Sequence, residues 1–384
     1  MSRLPHLGVL LLPLAALLQS TLADPFPYKS SRSETPKDNN ADCNCYVVQT
    51  GADSKTPEYF QYYRFYDFRN LPGGMSSSPP LLNDTQTAGL EPTWQPNVFN
   101  SDDWNYDWGI QNWSKPATDD FPTPMNNSLA NIYLGKQDLS YYSSYLALRT
   151  SRQEEYQTAA EVENEQKNLM HVSMRMYGRV QGARGAVAGF FTFYDDDNES
   201  DIEILTDDPK DQIRYTNQPS VGADGNEVTA ASVGPTNLPR WDDWQTHRID
   251  WLPKNSYWYL NNEQVAANTY SVPRKQSFLV LNMWGDGGEW SGQMPTGDSA
   301  EFHIQWIEMA FNTSGAYAGI DQKKRDTTSL FGRKRAEEGC KTVCTIDGVK
   351  QIGTPEVLDS GAMGRSVSWG LLVVVGLVCV VVGY

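Results

Sequence analysis

From Tyr145 to Phe311 polar and apolar positions alternate in one segment after another. "YLALRTS" (Tyr145–Ser151) and "HVSMRMYGRV" (His171–Val180) alternate, and "AVAGFFTFY" (Ala186–Tyr194) is apolar almost throughout. "HRIDWL", "YWYLNNEQVAA", "SFLVLNMW" and "EFHIQWIEMAF" complete the set. A period of two places successive side chains on opposite faces and predicts strands. Asn261-Asn262 interrupts one such run, and asparagine tolerates the positive φ of a tight hairpin turn. Gln153 to Met170 has helical composition but a poor apolar stripe, and it reads equally as a strand and a loop. Many strands, short polar connections and little helix predict an all-β fold. Residues 43–314 are expected to form a single jelly-roll domain, a sandwich of two antiparallel sheets.

The two ends follow other patterns. Arg3, an apolar run from Leu7 to Leu18 and Thr21-Leu22-Ala23 predict a secretory signal peptide over residues 1–23. Residues 24–42 are polar and read as a linker. Residues 315–360 are charged and small and read as a stalk. The final apolar run, Gly370 to Tyr384, is fifteen residues long, short of the roughly 20 that a spanning helix needs. Ser360-Gly361-Ala362 and a polar spacer precede it. Together they predict a GPI attachment signal with Ser360 as acceptor and residues 361–384 as the propeptide. The expected location is extracellular, anchored at the cell membrane or wall; a short tail-anchor helix is the alternative.

Composition narrows the function. The 384 residues are 39% hydrophobic and 12% aromatic, enough for a large core, and carry a formal net charge of -16. Such a surface disfavours nucleic acid, whose phosphates require Lys and Arg. Cys379 falls in the propeptide, leaving Cys43, Cys45, Cys340 and Cys344 at the two ends of the domain. In an oxidising compartment these predict disulfides that tie the ends together, with the pairing left open. The spacing suits zinc poorly. Sequons occur at Asn83, Asn112, Asn126, Asn198 and Asn312, and a glycan on Asn198 would crowd Glu199. No cofactor and no catalytic metal are expected, although a structural calcium stays open. A monomer is expected.

The densest chemistry lies in "FTFYDDDNESDIEILTDD", with eight carboxylates between Asp195 and Asp208. Asp195, Asp196, Asp197, Asp207 and Asp208 read as solvated loop. Glu199, Asp201 and Glu203 alternate with Ser200, Ile202 and Ile204, so on a strand they share one face. A calcium loop would need Gly and Glu where Ser200 and Thr206 stand. Two glutamates leaning together, with an aspartate between them, suit a retaining glycoside hydrolase. Like charges on one face raise one glutamate and keep a proton available near neutral pH. This spacing alone does not assign nucleophile and acid.

"AGFFTFYDDDNESDIEIL" resembles the catalytic hairpin of glycoside hydrolase family 16, whose signature is E-x-D-x-E on one strand. The resemblance continues through "IRYTNQPS", "HRIDWLPKNSYWYLNNEQV" and "LVLNMWGDGGEWSG" and covers roughly Tyr141 to Asn312, and more loosely extends back to Cys43. It implies a concanavalin A-like jelly roll, Glu199 as nucleophile, Glu203 as acid/base and Asp201 as the assisting aspartate. It also implies Trp284 and Asn282 as substrate-binding residues, with Tyr215 and Asn217 similarly placed after the catalytic strand. Ser200 departs from the usual aliphatic residue. Trp94, Trp104, Trp108, Trp113 and Trp290 are further sugar platforms or core residues. Secreted, GPI-anchored members of the family are characteristic of fungal cell walls, so β-glucan is the expected partner. A β-1,3- or mixed-linkage glucanase is the leading expectation. A wall transglycosylase, a non-catalytic wall lectin and a structural mannoprotein with an idle site are the rivals.

Overall fold

The computed structural model describes the backbone of residues 31–32 and residues 43–71, 73–82, 93–137, 143–315, 340 and 342–358. The segments expected to be a signal peptide and a GPI propeptide, most of the expected linker, Asn83 and Ser360 lie outside the described residues.

The fold is all-β, as the alternation predicts, with two antiparallel sheets facing each other. In the first sheet the order is Trp108–Ile110, Gln157–Asn164, Phe278–Trp284, Val187–Asp195, Asn198–Leu205, Arg214–Asn217 and Ser232–Val233. The second runs from Glu263–Asn268 through Ser256–Leu260, Gln245–Trp251 and Leu169–Gly182 to the long strand Ser299–Thr313. That last strand pairs with Tyr62–Asp67 along one half and with Ser144–Arg152 along the other. Gln157–Asn164 belongs to both sheets. Its first residues pair with Ser151 and Arg152, and its later ones with Val280–Met283. The sheets therefore curl together into a jelly roll. The stretch between Gln153 and Met170 with helical composition resolves as this strand, a short turn and the start of Leu169–Gly182. Tertiary pairing on two sides outweighs its helix propensity.

Between the sheets lies one continuous apolar core, including Met174, Met176, Phe190, Ile202, Ile204, Trp258, Leu281 and Ile307. Asn261 and Asn262 take positive φ, 50° and 70°, at the expected hairpin.

The outward side of the second sheet is covered by segments from the two ends of the described domain. Cys45–Thr50 pairs with Thr56–Phe60 and, in parallel, with Val343–Thr345, which pairs with Glu356–Val357. Cys43 is bonded to Cys344 and Cys45 to Cys340. Tyr46, Val48, Phe60, Tyr63, Phe65, Trp306 and Ile346 form a second apolar cluster beneath this clasp. Asp347 enters between Arg175 and Arg248 and pairs with both. This corrects the stalk expectation for Cys340 and residues 342–358, which pack as part of the domain. The apolar content of "VCTI" is short and has no periodicity to betray a strand added from so far along the chain.

Closing loops this long by disulfide restricts the unfolded chain strongly. Replacing Cys45 and Cys340 by serine should cost about 2–5 kcal/mol, read as a lower midpoint in thermal or urea unfolding. An unchanged midpoint would show that the clasp contributes nothing to the fold.

Candidate active site

The strands Val187–Asp195 and Asn198–Leu205 form a hairpin in which Asp195 pairs with Asn198 across the turn. Asp195 Oδ1 accepts from the backbone N–H of Asp197 at 3.2 Å and from Asn198 Nδ2 at 2.7 Å. Asn198 Oδ1 accepts from the backbone of Arg274 at 3.1 Å, so both ends of this sequon's amide are engaged. From the turn onward the pleat sorts the side chains. Ile202 and Ile204 enter the core, while Glu199, Asp201 and Glu203 share the opposite face. Across the hairpin Glu199 stands opposite Phe193, Asp201 opposite Phe191 and Glu203 opposite Gly189.

Asp201 is 1% exposed. Gln218 Nε2 donates to its Oδ2 at 3.2 Å, and no N–H or hydroxyl donor reaches its buried Oδ1. It shares a hydrogen bond with Glu199. Two carboxyl groups bond in this way only when one keeps a proton. Burial, then the charges of Glu199 and Glu203, hold Asp201 well above the usual carboxylate range. Asp201 is thus held toward its neutral form beside Glu199, where it can donate a hydrogen bond and orient that carboxylate. Burial also raises Glu199, and the hydrogen bond from Asp201 opposes that rise.

Glu203 has a different surround. Trp290 Nε1 donates to its Oε1 at 3.3 Å. The Arg214 guanidinium lies 4.5 Å from the centre of the Trp290 ring and is gripped by Asp208 through bonds of 2.8 and 2.9 Å. Burial pushes the Glu203 carboxyl up to about 7, against the downward pull of Trp290 and then Arg214.

A fourth acid joins this face. Glu161 pairs in register with Asn282, which pairs with Gly189, so the row Glu203–Gly189–Asn282–Glu161 crosses four strands. Burial pushes Glu161 up to about 7, while hydrogen bonds from Trp113 and Asn282 oppose it. A Cβ on Gly189 would lie 2.5 Å from Asn282 Oδ1. Only glycine lets the asparagine lie across the floor beside Glu203.

The structure thus unites Glu199, Asp201, Glu203, Asn282 and, by alternation, Trp284 on one face. It separates Tyr215 and Asn217 from them, which corrects that expectation. Tyr215 pairs with Ile202 and Asn217 with Ser200, so both point between the sheets, and each is 0% exposed. Their neighbours Arg214 and Thr216, opposite Glu203 and Asp201, take the open face. A one-residue difference in register exchanges the two faces of a strand. Asn217 instead accepts from Ser256 at 3.0 Å and donates to the Tyr270 carbonyl at 2.9 Å. Ser200 donates to Ser256 at 3.3 Å, so the departure from an aliphatic residue is absorbed by a polar chain behind the acids. Trp104 and Trp108 are core residues, whereas Trp94 and Trp113 are exposed. Arg175 is buried under the clasp. Asn112 is exposed, and Asn126 and Asn312 are partly exposed. Among the described residues no group of three or more His, Cys, Asp or Glu side chains is arranged to hold a metal ion.

Sequence reasoning missed Glu161 and Arg214. The alternation in "AAEVEN" marks Glu161 once the segment is known to be a strand. Arg214 follows from aligning the next strand against the E-x-D-x-E segment.

Residues 126–308 match the model for glycosyl hydrolases family 16. The beta-glucanase of Brevibacillus brevis is 28% identical over 134 residues, 32% of this chain and 48% of that protein. The chain thus spans about half the length of the curated relative it matches. Among solved structures, the Bacillus licheniformis beta-glucanase is 17% identical with a TM-score of 0.43, over 54% of this chain and 93% of that one. The endo-beta-1,3-glucanase from Pyrococcus furiosus is 17% identical with a TM-score of 0.40, over 54% of this chain and 90% of that one. The region matched to glycosyl hydrolases is the jelly roll that bears the carboxyl triplet on its open face. The match to the family 16 model spans just under half of the chain, the part that carries the hairpin and its acids.

The surround of Glu203 is directly testable. Removing the guanidinium with Arg214→Met, or the indole N–H with Trp290→Phe, should move the Glu203 titration midpoint above about 7. Carboxyl carbon NMR of labelled protein reads this shift. Midpoints that stay put in both variants would mean that neither group acts on the acid.

Proposed function

We propose that the protein is a retaining glycoside hydrolase that cuts β-glucan outside the cell. The observation that carries this reading is the hairpin face on which Asp201 donates to Glu199 while Glu203 sits apart under Trp290. Glu199, ionised and oriented by Asp201, attacks the anomeric carbon. The glycosidic C–O bond breaks as Glu203 gives its proton to the leaving oxygen, and a glycosyl ester forms on Glu199. Glu203, now a carboxylate, takes a proton from water, whose oxygen attacks the same carbon and releases Glu199. The sequence features at the two ends support secretion and GPI anchoring, and with them a role in remodelling the cell wall.

The reaction needs Glu203 protonated and Glu199 ionised. Burial raises both, Glu203 to about 7 and Glu199 to about 8. The value of kcat/KM should therefore fall above neutral pH as Glu203 loses its proton, and fall again at lower pH as Glu199 gains one. Glu199→Gln and Glu203→Gln should each lower release of reducing ends from β-1,3- and mixed-linkage glucan by about 10²-fold or more. Asp201→Asn should weaken turnover while leaving glucan binding intact. Binding without turnover by the wild type would reduce the protein to a wall lectin. Products longer than the donor would identify transfer to a sugar hydroxyl in place of water.

A further inference from the structure

We propose that Trp113 forms a distal glucan subsite, built by residues ahead of the family-matched region and reached only by longer chains. The inference rests on the glucan reading above. Trp113 is 41% exposed, yet it is fixed. Its indole Nε1 donates to Glu161 Oε1 at 3.0 Å, and its carbonyl accepts from the Asn127 backbone at 3.1 Å. An aromatic face held at the surface by a half-buried acid is costly to leave bare and well suited to the C–H face of a sugar.

Its position relative to the acids follows from strand register. Along the row Glu203–Gly189–Asn282–Glu161 three strand spacings separate the first residue from the last. That is about 14 Å, roughly the span of three pyranose units. Gly189 leaves the floor low beside Glu203. Asn282 Oδ1 is buried on this row without a hydrogen-bond partner, an acceptor waiting for a hydroxyl. A glucan whose anomeric carbon lies at Glu199 and Glu203 and which follows this row passes Asn282 and reaches Trp113. Trp113 lies ahead of residues 126–308, the part that matches the family model.

The test uses the full secreted protein carrying Asn112→Gln, so that no glycan on the neighbouring sequon covers the ring. β-Gluco-oligosaccharides of three to eight units are the probes. In this background Trp113→Ala should raise KM for the longest oligomers roughly three- to tenfold, leave the shortest unchanged and spare kcat. Trp113→Phe should retain most of the length dependence. Equal loss at every length would mark a structural role and overturn the proposal, as would an unchanged length profile. Binding to the Glu199→Gln protein, followed by calorimetry, separates this inference from the hydrolytic one. If the octamer loses affinity with Trp113→Ala and the trimer does not, the subsite stands even where no turnover is found. If neither loses affinity, the subsite falls while hydrolysis remains.

Discussion

The arrangement depends on the two-residue pleat of one strand. Asn198–Leu205 must bury Ile202 and Ile204 between the sheets, and burying them forces Glu199, Asp201 and Glu203 together on the other side. Three carboxyl groups in one partly desolvated row cannot all ionise. The apolar half of the strand therefore fixes the protonation of the acidic half. Any slip by one residue would send acids into the core and isoleucines to the surface, so the register that makes the site is also the register that the fold enforces.

Two devices keep this row from disrupting its own strand. On the open side each glutamate has a donor of its own, Asp201 for Glu199 and Trp290 for Glu203. Behind the strand, Ser200, Ser256 and Asn217 form a hydrogen-bonded chain that ends on the Tyr270 carbonyl. This chain links the strand Asn198–Leu205, its neighbour Arg214–Asn217 and the opposite sheet. The placement of the acids thus leans on both layers of the sandwich. The clasp covers the far side of that second layer, and Asp347 within it adds a carboxylate to Arg175, which already faces Glu308, and to Arg248, which already pairs with Asp250.

Periodicity made the strands legible, and with them the shared face of the triplet, because a period of two is a property of one strand alone. The same argument could not place Tyr215 and Asn217. Their orientation depends on how a second strand is registered against the first, and nothing local to "RYTNQ" records that register. Glu161 was hidden for a related reason. Its segment has helical composition and becomes a strand only by pairing on two sides, with Phe278–Trp284 and with Trp108–Ile110. Residues 342–358 were the hardest to read. A three-residue strand added in parallel from the end of the chain has neither length nor pattern, and only its cysteines hinted at where it belongs.

The unlike surrounds of the two glutamates give a physical reason for dividing their tasks. On the proposed reaction negative charge leaves Glu199 as the ester forms and appears on Glu203 as the proton is given away. Asp201, neutral and buried, can follow the first change by donating or relaxing its hydrogen bond, with no fixed charge to oppose esterification. Arg214 cannot follow; it is locked by Asp208 and spread over Trp290. Its positive field is therefore a standing preference for the carboxylate of Glu203, the form that exists after proton donation. Acting alone it would make Glu203 too weakly basic to recover the proton. Burial supplies the opposing push, and the midpoint near 7 reflects their balance. An acid set between a desolvating floor and a fixed cation can both give and retake one proton without either neighbour moving.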